Sequence, residues 1–151
     1  METCRKCLVI GAASMALAVS CGAFGAHRIK SVLLDQVEAG EITGVERIDT
    51  SRSWDVAVRN HGIHSIGLVL LGLVVSFCSP GHLRWARILM LAGILLFSGS
   101  IYIYIAVKVT SGMQLATLMI LVPVGGLSWI VGWVLLAIGF YRGATANSKL
   151  D

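Results

Sequence analysis

Charge-poor apolar runs dominate the pattern of this chain. After a short head carrying Arg5 and Lys6, residues 8–26 pass without a charge. A helix needs about 20 residues to cross 30 Å of hydrocarbon at 1.5 Å per residue, so this run is long enough to span. Three more follow, over about 57–78, 86–107 and 115–141. Ser79, Pro80 and Gly81 close the second with strong breaker chemistry, Lys108 ends the third, and Thr110, Ser111 and Gly112 make the next turn. Tyr102 and Tyr104 stand near the end of the third, where an aromatic belt would place them. The fourth is long enough to tilt or kink and carries Pro123, Gly125 and Gly126, which predicts a local helix break there.

Between the first two runs the pattern inverts. Asp35, Glu38, Glu41, Glu46 and Asp49 mix with Arg28, Lys30, Arg47 and Arg52, a density that no membrane segment tolerates. Within it Ile29, Val32, Leu33, Gln36 and Val37 recur at helical spacing, predicting a short amphipathic helix that lies along the membrane interface and ends at Gly40. The last eight or so residues read as a flexible tail.

Composition removes the soluble alternative. Of 151 residues 56% are hydrophobic and 13% charged, and the mean hydropathy is +0.83; a globular chain carries about 25% charge. Lipid offers no partners to backbone amides, so four such runs mean four helices and exclude an open sheet. The expected fold is all-α: an integral membrane four-helix bundle over residues 1–151, with the interfacial helix in its first loop and no room for a separate catalytic domain. An even number of spans puts both termini on one side. Arg5, Lys6, Arg84, Arg87, Arg142 and Lys149 on that side balance Arg28, Lys30, Arg47, Arg52, Arg59 and Lys108 on the other. The tie is broken by the Arg5–Lys6 pair directly before the first span, which favours cytoplasmic termini in a bacterial inner membrane. The alternative is a cleaved export signal, with Ala18, Val19 and Ser20 before Cys21 loosely resembling a lipoprotein site, but the apolar run continues past Cys21. The net charge of +4 carries no partner information, and no basic and aromatic stripe suggests nucleic acid. Membrane lipid, a larger membrane complex or a homo-oligomer are the expected partners.

Four histidines stand out in so apolar a chain. The end of span one and the start of span two share a membrane face, which puts His27, His61 and His64 on one rim, while His82 lies elsewhere. His61 and His64, at i and i+3, share a helix face. Together with His27, and with Ser98 and Tyr102, an i, i+4 pair on span three, they form the candidate polar cluster. Interhelical hydrogen bonding is the plain reading of this set; a proton relay or a metal or haem edge is the sharper one. No Cys, Asp or Glu stands at matching spacing, so no metal or cofactor is assigned. His64 should lie deeper than His61 and bond to a Tyr or Ser of span three or to the backbone of residues 22–26. On that reading His64→Gln is tolerated, whereas His64→Leu leaves a partner unsatisfied.

Small residues are the largest signal. Gly11, Ala12, Ser14, Ala16, Ala18, Ser20, Gly22 and Gly25 line the first run, Gly67 and Gly72 the second, Gly93 and Gly99 the third, Ser128 and Gly132 the fourth. They let helix backbones approach closely where no hydrophobic effect drives helices together. Gly99→Leu is therefore expected to cost more than Leu95→Ala. Cys4 and Cys7 form a CxxC without the βαβ setting of a redox motif, and they serve equally well as palmitoylation sites; Cys21 and Cys78 read as small apolar residues. No GxSxG, HExxH, P-loop or GxGxxG occurs, and no span carries paired carboxylates, so catalytic activity is not expected.

Four ordered motifs carry a family resemblance: GAFGAH from Gly22 to His27, WDVAVRNHGIH from Trp54 to His64, LFSGSIY from Leu96 to Tyr102, and VPVGG from Val122 to Gly126 followed by Gly132 and Trp133. Together they resemble the YgdD/YwdK-like small membrane proteins, domain of unknown function 423, whose eukaryotic relatives are called transmembrane protein 256. The resemblance implies a four-helix membrane protein of unassigned activity. Asn60 and His61 stand where that family usually has Tyr-Gln, and the first loop is longer by roughly a dozen residues. Two functional expectations follow. The first is a structural or accessory membrane protein that packs through small-residue helix faces. The alternative is a small oligomeric transporter or channel with a polar site near His64 and the Pro123–Gly126 break, although every acid lies outside the spans.

Overall fold

The computed structural model describes residues 2–147 and the side chains of 5–143; the Cys4 side chain and most of the expected tail lie outside them. The described chain is helical almost throughout, with four helical stretches long and apolar enough to cross a membrane: Arg5–Glu38, Gly44–Leu73, Pro80–Ser111 and Ala116–Gly143, taken below as spans one to four. Span one is α1 (Glu2–Phe24), a π-helical turn at Gly25–Ile29 and α2 (Lys30–Glu38). Span two is the single helix α3 (Gly44–Leu73). Span three joins α4 (Pro80–Gly93) to α5 (Ser100–Ser111) through a second π-helical turn at Ile94–Gly99, and span four is a 3-10 turn at Ala116–Ile120 followed by α6 (Leu121–Asn147).

Helix ends correct two expectations. The amphipathic helix expected after His27 forms as α2 and ends just before Gly40, but it continues span one instead of standing apart from it, and span two starts ten residues before Trp54. Thr43 caps α3, its hydroxyl accepting from the Glu46 amide at 3.1 Å, and only the short link around Gly40, at φ +74°, is left to turn the chain. The amphipathic stripe is buried in protein rather than laid on lipid. Ile29 and Leu33 pack with Trp54, Ala57, Ile101, Ile105 and Val109, closing the upper part of the bundle. Lys108 ties the hairpin to span three through Glu46 at 2.8 Å and Thr50 at 3.2 Å.

At the other end α3 stops at Leu73, before the expected Cys78, and Pro80 opens α4 from its first turn, where its missing N–H is no loss. The second correction concerns span four. No break occurs at Pro123, Gly125 and Gly126, because α6 runs unbroken from Leu121 and Pro123 sits in its first turn. The irregular backbone lies just ahead, in the 3-10 turn.

Spans one and two pack along their length, as do spans three and four, and spans two and three join the pairs. A lower core of Leu68, Leu71, Met90, Ile94, Trp129 and Leu136 closes this joint. Leu17, Val19, Leu73, Leu95, Leu127 and Ile130 point outward, as lipid-facing side chains do.

Close approach falls on particular glycines. A Cβ on Gly11 would lie 2.8 Å from the Val69 nitrogen and 3.0 Å from the Ser65 carbonyl; one on Gly125 would lie 2.5 Å from the Phe97 nitrogen in the π turn of span three. Trp54 lies directly over Gly25, and Gly22 touches Val58. Gly126 has only ordinary contact, and Gly99 does not approach a second helix at all: its nearest neighbour is the Ile94 carbonyl of its own turn. Leu95 is exposed and Gly99 opens on a groove, so the expected contrast between Gly99→Leu and Leu95→Ala loses its basis. Instead, Gly125→Ala should lower stability by about 1–3 kcal/mol through overpacking, whereas Gly99→Ala should be neutral or slightly stabilising by helix propensity. Thermal unfolding in one detergent checks this, and equal losses would refute the assignment of close contact.

Candidate functional site

At the centre of the bundle one histidine serves three helices. His61 on α3 is buried, with Ser14 of span one at 3.0 Å from Nε2 and the Tyr102 hydroxyl of span three at 3.4 Å from Nδ1. Ser14 is also 2.7 Å from the Ser65 hydroxyl, and Ser65 donates to the His61 carbonyl at 2.8 Å. Hydrogen counting fixes the direction of this chain. Ser65 spends its only hydrogen on a carbonyl, so Ser14 must donate to Ser65; Ser14 then has none left, so His61 donates to it from Nε2. That leaves Nδ1 as the acceptor for Tyr102. Polarity therefore runs from Tyr102 through His61, Ser14 and Ser65 back to the His61 carbonyl, knitting spans one, two and three. The Cys21 thiol lies beside the Tyr102 hydroxyl.

His64 belongs to a different environment. Its Nδ1 donates to the Asn60 carbonyl of its own helix at 2.8 Å, and its ring stacks on Trp129 of span four at 3.7 Å between centroids and 5° between planes. Trp129 in turn donates to the Met90 carbonyl at 3.2 Å, covers Gly93 and meets Phe97 at 4.8 Å. The expected partner on span three or at residues 22–26 is thus not the one His64 has. The two imidazoles, one turn apart, face different neighbours and carry their protons on different nitrogens.

Of the other candidates, Ser98 donates to the Ala57 carbonyl of span two at 2.9 Å, so Ser98 and Tyr102 both address α3. His27 is exposed on span one and meets neither His61 nor His64, which removes it from the cluster. His27 lies within the π-helical turn Gly25–Ile29, whose buried residues are Gly25 and Ile29. His82 contacts Ser79 at 3.2 Å near the opposite end. Two residues that the sequence reading did not assign to the cluster, Ser14 and Ser65, complete the His61 chain, and a third, Trp129, supplies the separate stack on His64. Ser65 at i+4 from His61 was the available signal. Trp54 adds a further cross-tie, donating to the Cys21 carbonyl at 3.0 Å beside Tyr102. Among the described residues every buried side-chain nitrogen and oxygen has a partner, and no three His, Cys, Asp or Glu side chains come together.

Four membrane-length helices whose interior polar groups answer one another across the spans make this a small multi-pass membrane protein. The family model described as "Protein of unknown function (DUF423)" matches residues 21–126, and the chain belongs to that family. It is 32% identical over 132 residues to the UPF0382 membrane protein YwdK of Bacillus subtilis strain 168, covering 87% of this chain and 92% of that one. It is 30% identical over 135 residues to a UPF0382 membrane protein of Staphylococcus aureus strain bovine RF122, covering 89% and 94%. No solved structure gives a significant match. The family that the sequence motifs resemble is therefore the family to which the chain belongs.

Two expected outcomes follow from the network. Ser14→Ala and Ser65→Ala should each cost about 1–2 kcal/mol, and the double variant should cost less than their sum, because both remove the same bond. Strict additivity in thermal unfolding would show that the two hydroxyls act apart. For His64 the stack outweighs the hydrogen bond, since the Asn60 carbonyl keeps its helical N–H. His64→Phe should stay near the parent, while His64→Leu should lose about 0.5–1.5 kcal/mol; equal losses would overturn the stacking role.

Proposed function

We propose that the protein is a structural or accessory membrane protein, without catalytic activity, that associates through a small-residue face of span one. The observation that carries this reading is the division of that span into two stripes. Gly11, Ala18 and Gly25 are buried against span two, whereas Ala12, Ala16 and Ser20, spaced four residues apart on another face, are exposed. Ser20 bonds back to the Ala16 carbonyl at 2.9 Å, which keeps the stripe flat. Such small-xxx-small stripes let a second helix approach closely in lipid. Inward-facing polar groups are meanwhile spent on one another, which supports a packing role over transport, and the unbroken α6 takes away one half of the transporter reading.

The location we propose is the cytoplasmic membrane of a bacterium, with both termini in the cytoplasm; the bacterial membrane relatives and the basic pair before span one support it. Cysteines introduced at positions 45 and 147 should then label from opposite sides, and labelling from the same side would refute the topology. For the association itself, Ala16→Leu should abolish the oligomer or complex seen by native mass spectrometry in mild detergent while thermal stability holds. A chain that stays monomeric and unaccompanied before substitution would overturn the reading.

A further inference from the structure

Where span two leaves the hydrocarbon, an open groove of about 610 Å³ lies between α3 and the start of α2. Lys30, Arg47, Arg52 and Arg59 line it, against one acid, Asp55. Among the described residues none of these four cations has an ion-pair partner, although the same side of the protein carries six acids. The acids lie elsewhere: Glu46 is spent on Lys108, and Asp35, Glu38, Glu41 and Asp49 do not line the groove. A surplus of three positive charges is thus concentrated in one concavity, unneutralised by protein.

Its position says what neutralises it. Residues 56–73 hold a single charge, Arg59, so the groove straddles the edge of the apolar part of span two. Arg47 and Arg59 are about 18 Å apart along the helix, with Arg52 between them, a ladder that crosses the headgroup layer into the top of the hydrocarbon. Arg59 is exposed at a depth where an unpaired guanidinium is costly unless it reaches up to an anion. The apolar part of the lining, Val56 and the exposed Ile48, offers contact to an acyl chain beside the charges.

We propose that this groove is a binding site for the headgroup of an anionic glycerophospholipid, with Lys30, Arg47, Arg52 and Arg59 receiving its phosphate charge. A cation near an anionic lipid surface is worth about 1 kcal/mol, or about fivefold in affinity. The site does not depend on the orientation or on the association proposed above.

The test uses the full chain in detergent, offered equal amounts of phosphatidylglycerol and phosphatidylcholine and read by native mass spectrometry as retained lipid. Phosphatidylglycerol adducts should dominate in the parent. The R47Q/R52Q/R59Q variant should lose about fivefold per cation removed, and R5Q/R84Q, at the opposite end, should retain the parent's preference. Excess inorganic phosphate should leave the adducts in place, because the acyl contacts belong to the lipid. Equal retention of the two lipids by the parent, an undiminished preference in the triple variant, or displacement by inorganic phosphate alone would each overturn the proposal. If the triple variant unfolds, Arg52→Gln alone carries the test: about a fivefold loss is expected, and parental retention refutes it.

Discussion

A polar side chain inside hydrocarbon has no solvent to fall back on, so each one on the inner faces of these helices must be answered by another helix or by its own backbone. The bundle is organised around that demand. His61 can serve spans one and three together only because Ser14 and Tyr102 stand on opposite sides of its ring. Ser98 of span three reaches the Ala57 carbonyl of span two, and Trp129 of span four reaches that of Met90 on span three. Each such bond is worth less than in a simple vacuum picture, on the order of 0.6 to 2 kcal/mol. Their joint effect is to fix rotation: a helix turned by one residue loses them all.

Close packing then follows from where the bonds lie. Gly11 and Gly125 let backbones meet, and they do so beside the polar contacts, at Ser65 and at the π turn that contains Ser98. Aromatic rings fill the space that these approaches leave, Trp54 over Gly25 and Trp129 over Gly93. In both cases the indole also donates to a carbonyl of the helix that carries the glycine, at Cys21 and Met90. A glycine and an indole thus act as one joint between spans one and two and again between spans three and four.

Four runs of apolar residues were enough to give the number of helices, because hydrocarbon thickness sets a length that nothing else in the chain imitates. Helix ends were less legible. Thr43 and Glu46 spell a capping box, yet the surrounding charges suggested a loop; the cap is decisive only because Leu33 and Ile105 wait to bury the stripe behind it. Pro123 suggested a break for a similar reason, since whether a proline interrupts or begins a helix depends on where the preceding turn stops. Within the polar cluster, His61, Ser98 and Tyr102 were findable by spacing. His27 and His64 were not, because spacing gives the angle between side chains on one helix but not the direction in which its neighbours lie.

The unbroken length of α3 has a mechanical meaning. From the turn at Gly40 to His61 is 21 residues, and from Gly44 onward that path is one helix without a π turn, proline or glycine pair to bend it, a rod of about 25 Å. Lys108 holds the rod at its tip through Glu46 and one turn further on through Thr50. A push at the tip outside the membrane therefore cannot be absorbed locally. It passes down α3 through the ties at Thr50, Trp54 and Ala57 before it reaches His61, where the 3.4 Å reach from Tyr102 is the longest bond of the histidine network.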